Sequence, residues 1–160
     1  MRFKVAPPAR SLDFLREARS AVPLVPRAES DCCGAIQRET GVEDRDTARA
    51  YLTFLRALGL VAESEQGYHR TQASLDRAKL AAAYQERVFL VAELLEAIEA
   101  GPKTADSAFE AVREQVPRWE RERHTDWERQ WQTNVEHLLS WAVVLGCCTV
   151  DDGQFRQARQ

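Results

Sequence analysis

Apolar residues recur at helical spacing along most of this chain, and twice the period collapses into short runs set around a glycine turn. Ser11 caps a helix to about Ala21 that buries Leu12, Leu15, Ala18 and Val22, and Pro23 and Pro26 stop it. Ser30 or Asp31 opens a second helix, Cys32 to Glu39, closed by Gly41. A third runs from Arg45 to Leu58, with Ala48, Tyr51, Leu52, Leu55 and Leu58 on one face and Gly59 at its end. Then Leu60–Glu63 and Tyr68–Thr71 read as two strands around the turn Ser64-Glu65-Gln66-Gly67.

The second half repeats this order. Ser74 to Ala100 is helical, as one helix or as two joined near Gln85, and Gly101-Pro102 breaks it. Thr104 caps a helix from Ala105 to Val116, and Pro117 starts a charged helical stretch through His124. A long helix follows from Asp126 to Leu145, ending at Gly146, with Trp127, Trp131, Val135, Leu138, Ala142 and Leu145 as its stripe. Cys147–Val150, a turn at Asp151-Asp152-Gly153, and Gln154–Arg156 again read as strand, turn, strand. Residues Tyr51–Val61 align with Leu138–Cys148 at a constant offset, each pairing a helix that ends in Leu-Gly with a strand. Duplication of one small motif explains the pattern, with a boundary between Gln72 and Ala83.

Composition fits an ordinary folded chain: 160 residues, 44% apolar, 29% charged, formal charge −3. The longest apolar stretch, Trp141–Cys148, is far short of the ~20 residues that cross a bilayer, so no membrane association is expected. Met1–Pro8 has no apolar core of a secretory signal, so the expected location is cytoplasmic and the four cysteines are expected as thiols. Residues 1–72 are close to neutral and residues 73–160 are acidic, so any nucleic-acid contact must come from a local cluster of arginines.

Two helices, a polar turn, a longer helix and a two-stranded wing resemble the winged helix-turn-helix family. The resemblance is carried by Thr40-Gly41-Val42, Ala48, Leu52, Leu55, Leu58-Gly59-Leu60-Val61, Gly67-Tyr68 and Thr71. The whole chain also resembles haloarchaeal proteins of similar length. The fold class implied is mainly α with short β wings: a first winged-helix unit over 10–72, a helical connector over 73–85 and a second unit over 86–157. The second copy departs in carrying an extra charged segment, Arg118–Thr125, before its long helix.

In that family the third helix often enters the major groove and the wing touches the backbone. Carried onto this chain, the resemblance implies that Arg45, Arg49, Thr53 and Arg56 on the helix, with His69 and Arg70 on the wing, contact double-stranded DNA. In the second copy, arginines alternate with acids around Trp119, Trp127 and Trp131, which reads as core or as a surface for a protein partner or homodimer. The vicinal pairs Cys32-Cys33 and Cys147-Cys148 lack the spacing that converges four sulfurs on zinc, and read as small buried apolar residues. His69, His124 and His137 are scattered, and no phosphate-cradling glycine loop occurs, so neither catalysis, metal nor cofactor is expected. The reading is a DNA-binding protein of transcription or chromosome regulation. Its rival is a protein-interaction adaptor of the segregation-complex or sorting type, without DNA contact.

Overall fold

The computed structural model describes residues 3, 4 and 6–158. Their elements are α1 (Leu12–Ala21), α2 (Glu29–Thr40), α3 (Arg45–Ala57), β1 (Val61–Ser64), β2 (Gly67–Arg70), α4 (Arg77–Arg87), α5 (Val91–Glu99), α6 (Ala105–Val112), α7 (Arg118–Arg123), α8 (Trp127–Val144), β3 (Cys148–Asp151) and β4 (Gln154–Gln157). A 3₁₀ turn, Arg113–Gln115, ends α6, which is therefore shorter than its apolar run implied.

Local chemistry sets most of these limits. The side chains of Ser11, Asp44 and Thr104 each accept a hydrogen bond from an orphan amide in the first turn of α1, α3 and α6. Helix α2 begins three residues earlier than expected, at Glu29, behind a backbone cap at Ala28 that no side chain announces. The 74–100 segment is two helices, but they part at Leu90 (φ 79°) rather than near Gln85. Leu90 is fully buried, so packing holds it in a conformation that an isolated leucine avoids.

The repeat is retained at the level of single hydrogen bonds. After α3, Gly59 N–H donates to Arg56 and Leu60 N–H to Leu55, at 3.0 and 2.9 Å. After α8, Gly146 N–H donates to Val143 and Cys147 N–H to Ala142, at 3.1 and 2.8 Å. Both glycines sit near φ 80°, the left-handed turn that this helix ending requires. Each hairpin is antiparallel, with Val61 opposite Arg70 in one and Cys148 opposite Gln157 in the other.

Each wing also gains a third, one-residue strand. Arg27 pairs with Tyr68 through hydrogen bonds of 3.0 and 2.8 Å, and Lys103 pairs with Phe155 at 3.1 and 2.7 Å. A single extended residue carries no period, so the sequence did not disclose these bridges. Gly67 is the close approach that permits the first: at φ 124°, any Cβ there would overlap the Arg27 carbonyl. Gly67→Ala should open the bridge and cost about 3 kcal/mol, a drop in Tm of roughly 10 °C. Gly153→Ala, with open space around it, should shift Tm by less than half as much in the same thermal melt.

The two units share one core. Phe54 of α3 lies against Trp141 of α8, ring centroids 4.4 Å apart, and these residues occupy the same place in their respective copies. Contact between equivalent positions is what an isologous pairing makes. Tyr84 of α4 meets Phe54 edge-on at 5.9 Å and donates its hydroxyl to Leu138 O at 2.6 Å. Arg77 of α4 donates to Val144 O and Val143 O at the C-terminal end of α8, where carbonyls lack helical partners.

The N-terminal segment is laid along this seam. Phe3 exchanges backbone hydrogen bonds with Arg87 and Phe89. Buried Asn134 receives the Ala6 amide at 3.0 Å and donates to Lys4 O at 2.9 Å, so both ends of its amide are used. Trp141 Nε1 and Tyr51 Oη donate to Pro7 O and Pro8 O, both at 2.7 Å. Proline carbonyls without their own amides make a strand that only side chains can hold, which is why this segment reads as loop in the sequence.

Candidate nucleic-acid interface

Helix α3 is walled in on three sides. Ala48, Tyr51, Leu52, Phe54, Leu55 and Ala57 are buried, and a single stripe remains open. Arg45, Arg49, Thr53 and Arg56 fall along it, with Arg45 and Arg49 exposed and Thr53 and Arg56 half-buried. The stripe is not bare positive charge. Arg49 Nε lies 2.8 Å from Glu29 at the start of α2, and its Nη1 lies 3.5 Å from Asp46. Arg56 lies 2.9 Å from Glu63 of β1 and over the Phe3 ring. These carboxylates hold the guanidinium groups upright without burying them, at side-chain exposures of 52% and 37%.

Arg45 differs, having no carboxylate partner among the described residues. With Arg27 and Arg38, likewise unpaired, it rims a hollow of about 520 Å³ floored by Ser30, Gly34 and Ala35 of α2, with Asp31 as its one acid. Arg27 and Arg38 were missed at the sequence level. They sit on the bridging strand and on the outer face of α2, and no periodicity separates them from ordinary surface arginines.

Of the wing residues, His69 is half-buried opposite Ala62, and its Nδ1 is shut from water without a hydrogen-bond partner. Arg70 lies at the base of β2, its amide donating to Pro23 O at 2.7 Å, and its side chain turns toward α1 rather than toward the wing tip.

The second unit carries a different surface on the same scaffold. The positions of α8 that match Arg45, Arg49, Thr53 and Arg56 are Gln132, Glu136, Ser140 and Val143. The hollow beside α6 is lined by Glu93, Glu96 and Lys103, with Ala97, Ala111 and Gln115. Trp131 is not a surface residue: it is buried and packs edge-on against Phe89 at 5.9 Å. Trp127 is half-buried between Phe109 and the guanidinium of Arg113, which also binds Glu128 at 2.9 Å. Trp119 is the member of the trio left open, 50% exposed with the Lys4 ammonium over its ring.

The cysteines pack as apolar groups. Cys32, Cys33 and Cys148 are buried thiols, and Cys147 is half-buried beside Gln85. Among the described residues, no cluster of His, Cys, Asp or Glu is arranged to hold a metal ion. Burial pushes Cys148 up to about 12, and it raises Cys32, Cys33 and Tyr84 as well. An unfolded thiol ionises near pH 9, so the stability that Cys148 lends is complete below that pH and lost as pH climbs toward 12. Unfolding free energies from urea melts should therefore fall between pH 9 and 11, by up to about 1.4 kcal/mol per pH unit for Cys148, and Cys148→Ala should flatten the fall.

Helix, bridging residue, helix, long helix and wing, twice over, define a tandem winged-helix protein. The family model of the halobacterial double winged helix domain matches residues 1–160, and the chain belongs to that family. No curated protein and no solved structure matches it. No helix among the described residues is long and apolar enough to cross a membrane.

Proposed function

We propose that the protein is a cytoplasmic DNA-binding regulator in which the first winged helix, residues 10–72, lies on double-stranded DNA. In this reading the second, residues 86–157, docks a protein partner or a second copy of the chain. The observation that carries it is the contrast between the two stripes. On one scaffold, α3 presents Arg45, Arg49 and Arg56 where α8 presents Gln132, Glu136 and Val143. Fold alone would treat the units alike, so the difference in forked, phosphate-matching donors selects the first.

Arg45, Arg49, Thr53 and Arg56 face the major groove, and the unpaired Arg27 and Arg38 flank it on the α2 side. His69 and Arg70 belong to the wing that meets the backbone. Glu29, Asp46 and Glu63 moderate the attraction, so binding depends on guanidinium groups exchanging a carboxylate for a phosphate or a guanine edge. The exposed Trp119 and the half-buried Trp127 are the second unit's docking surface.

Affinity for mixed duplex DNA across a salt series tests this reading. Binding at 50 mM salt that weakens steeply toward 200 mM, with a log–log slope of about −3 to −5, is expected from a few phosphate contacts. Absence of binding at 50 mM salt would leave the protein-adaptor reading in its place.

A further inference from the structure

A second basic locus lies away from the α3 stripe, where the base of the first wing meets α1. Arg16 and Arg19 of α1, Arg70 of β2, and Ser20, Thr71 and Gln72 line an open hollow of about 420 Å³ bordered by Leu24 and Leu75. Among the described residues no acidic side chain lines it. Arg16 is held at its outer edge by Asp13 at 2.7 Å. Arg19 donates Nη2 to Thr71 O at 2.7 Å, which fixes its guanidinium plane toward the wing.

The Nε atoms of Arg19 and of Arg70 are both closed off from water, and neither has a hydrogen-bond partner. Neither arginine has a carboxylate partner among the described residues, although Arg49 and Arg56 of the stripe and Arg113 and Arg118 of the second unit have theirs. Burial and the neighbouring Arg70 charge also lower the Arg19 pKa, so the two cations face each other at a cost. Like charges held together beside the Ser20 and Thr71 hydroxyls, with no carboxylate among the described lining residues, form the concave, donor-rich surface that a tetrahedral oxyanion satisfies.

We infer that this hollow is a phosphate-class anion site in which Arg19 and Arg70, drawn from α1 and β2, clamp one phosphate group beside the Ser20 and Thr71 hydroxyls. The phosphate comes either free in solution or from a DNA backbone passing the wing. The site goes beyond the α3 stripe, and only its second source rests on the DNA reading.

Titration with inorganic phosphate, against sodium chloride at matched ionic strength, tests it in the full chain and in Arg70→Gln. Arg70 makes no side-chain hydrogen bond among the described residues, so that variant should fold and melt no lower than the parent without ligand. A free-anion site gives the parent a saturable rise in Tm with phosphate that chloride does not give, and Arg70→Gln weakens that response about tenfold or more. Arg19→Lys keeps a charge but loses the fork, and should weaken it too. A backbone-phosphate site shows no response to free phosphate, and Arg70→Gln and Arg19→Gln each reduce the DNA salt slope by about one. A phosphate response equal to that of chloride, together with unchanged DNA slopes in both variants, would overturn the site. The stripe reading would survive that result, since it rests on Arg45 and Arg49.

Discussion

Trp141→Ala should be the most damaging single substitution in the molecule, costing about 4 kcal/mol and lowering Tm by roughly 10–15 °C. Trp141 is fully buried, lies 4.4 Å from Phe54 across the seam, and holds the N-terminal segment through Pro7 O. Truncation therefore leaves a cavity, removes an aromatic contact between the units and strands a carbonyl. Trp141→Phe keeps most of the volume and should cost about 1–3 kcal/mol, mainly for that carbonyl. Because Phe54 and Trp141 touch, their two alanine substitutions should fall short of additive by about 0.5–3 kcal/mol. Both units should then unfold in one transition by calorimetry. Two separated transitions would mean that the shared core contributes little.

The second large effect concerns DNA rather than stability. Replacing the first unit's stripe with the residues at the matching second-unit positions (Arg45→Gln, Arg49→Glu, Arg56→Val) should reduce affinity for duplex DNA about a hundredfold at 50 mM salt. It should reduce the salt slope by about two to three. The folded state should hardly notice. Arg45 has no carboxylate partner among the described residues, and the half-exposed pairs of Arg49 and Arg56 each contribute at most about 1 kcal/mol. A collapse of binding with a Tm shift of only a few degrees separates lost contact from lost fold. Unchanged anisotropy titrations with the triple variant would take recognition away from α3.

Most of the fold was legible because each copy announces its landmarks twice. The Leu-Gly endings of α3 and α8, the Ser11 and Thr104 caps and the turn glycines are local signals, and local signals survive in a single sequence. What escaped was non-local. The break at Leu90 is imposed by packing, the start of α2 has no side-chain cap, and the Arg27 and Lys103 bridges are single residues. The laid-down N-terminus depends on partners more than forty residues away.

For the candidate interface, helical spacing did place Arg45, Arg49, Thr53 and Arg56 on one open stripe. It could not show that Glu29 and Glu63 reach two of them from other elements, nor that Arg27 and Arg38 stay unpaired beside Arg45. Trp131 misled for a related reason. An aromatic stripe looks the same whether it faces a partner or its own core, and here Phe89 takes that face.

Amide chemical-shift mapping during titration with a short duplex tests first-unit recognition most directly. The expected result is that perturbations concentrate over residues 27–38, 45–56 and 67–71 and leave 132–143 unmoved. Perturbations confined to 132–143 and the second wing, or none at saturating duplex in low salt, would contradict it.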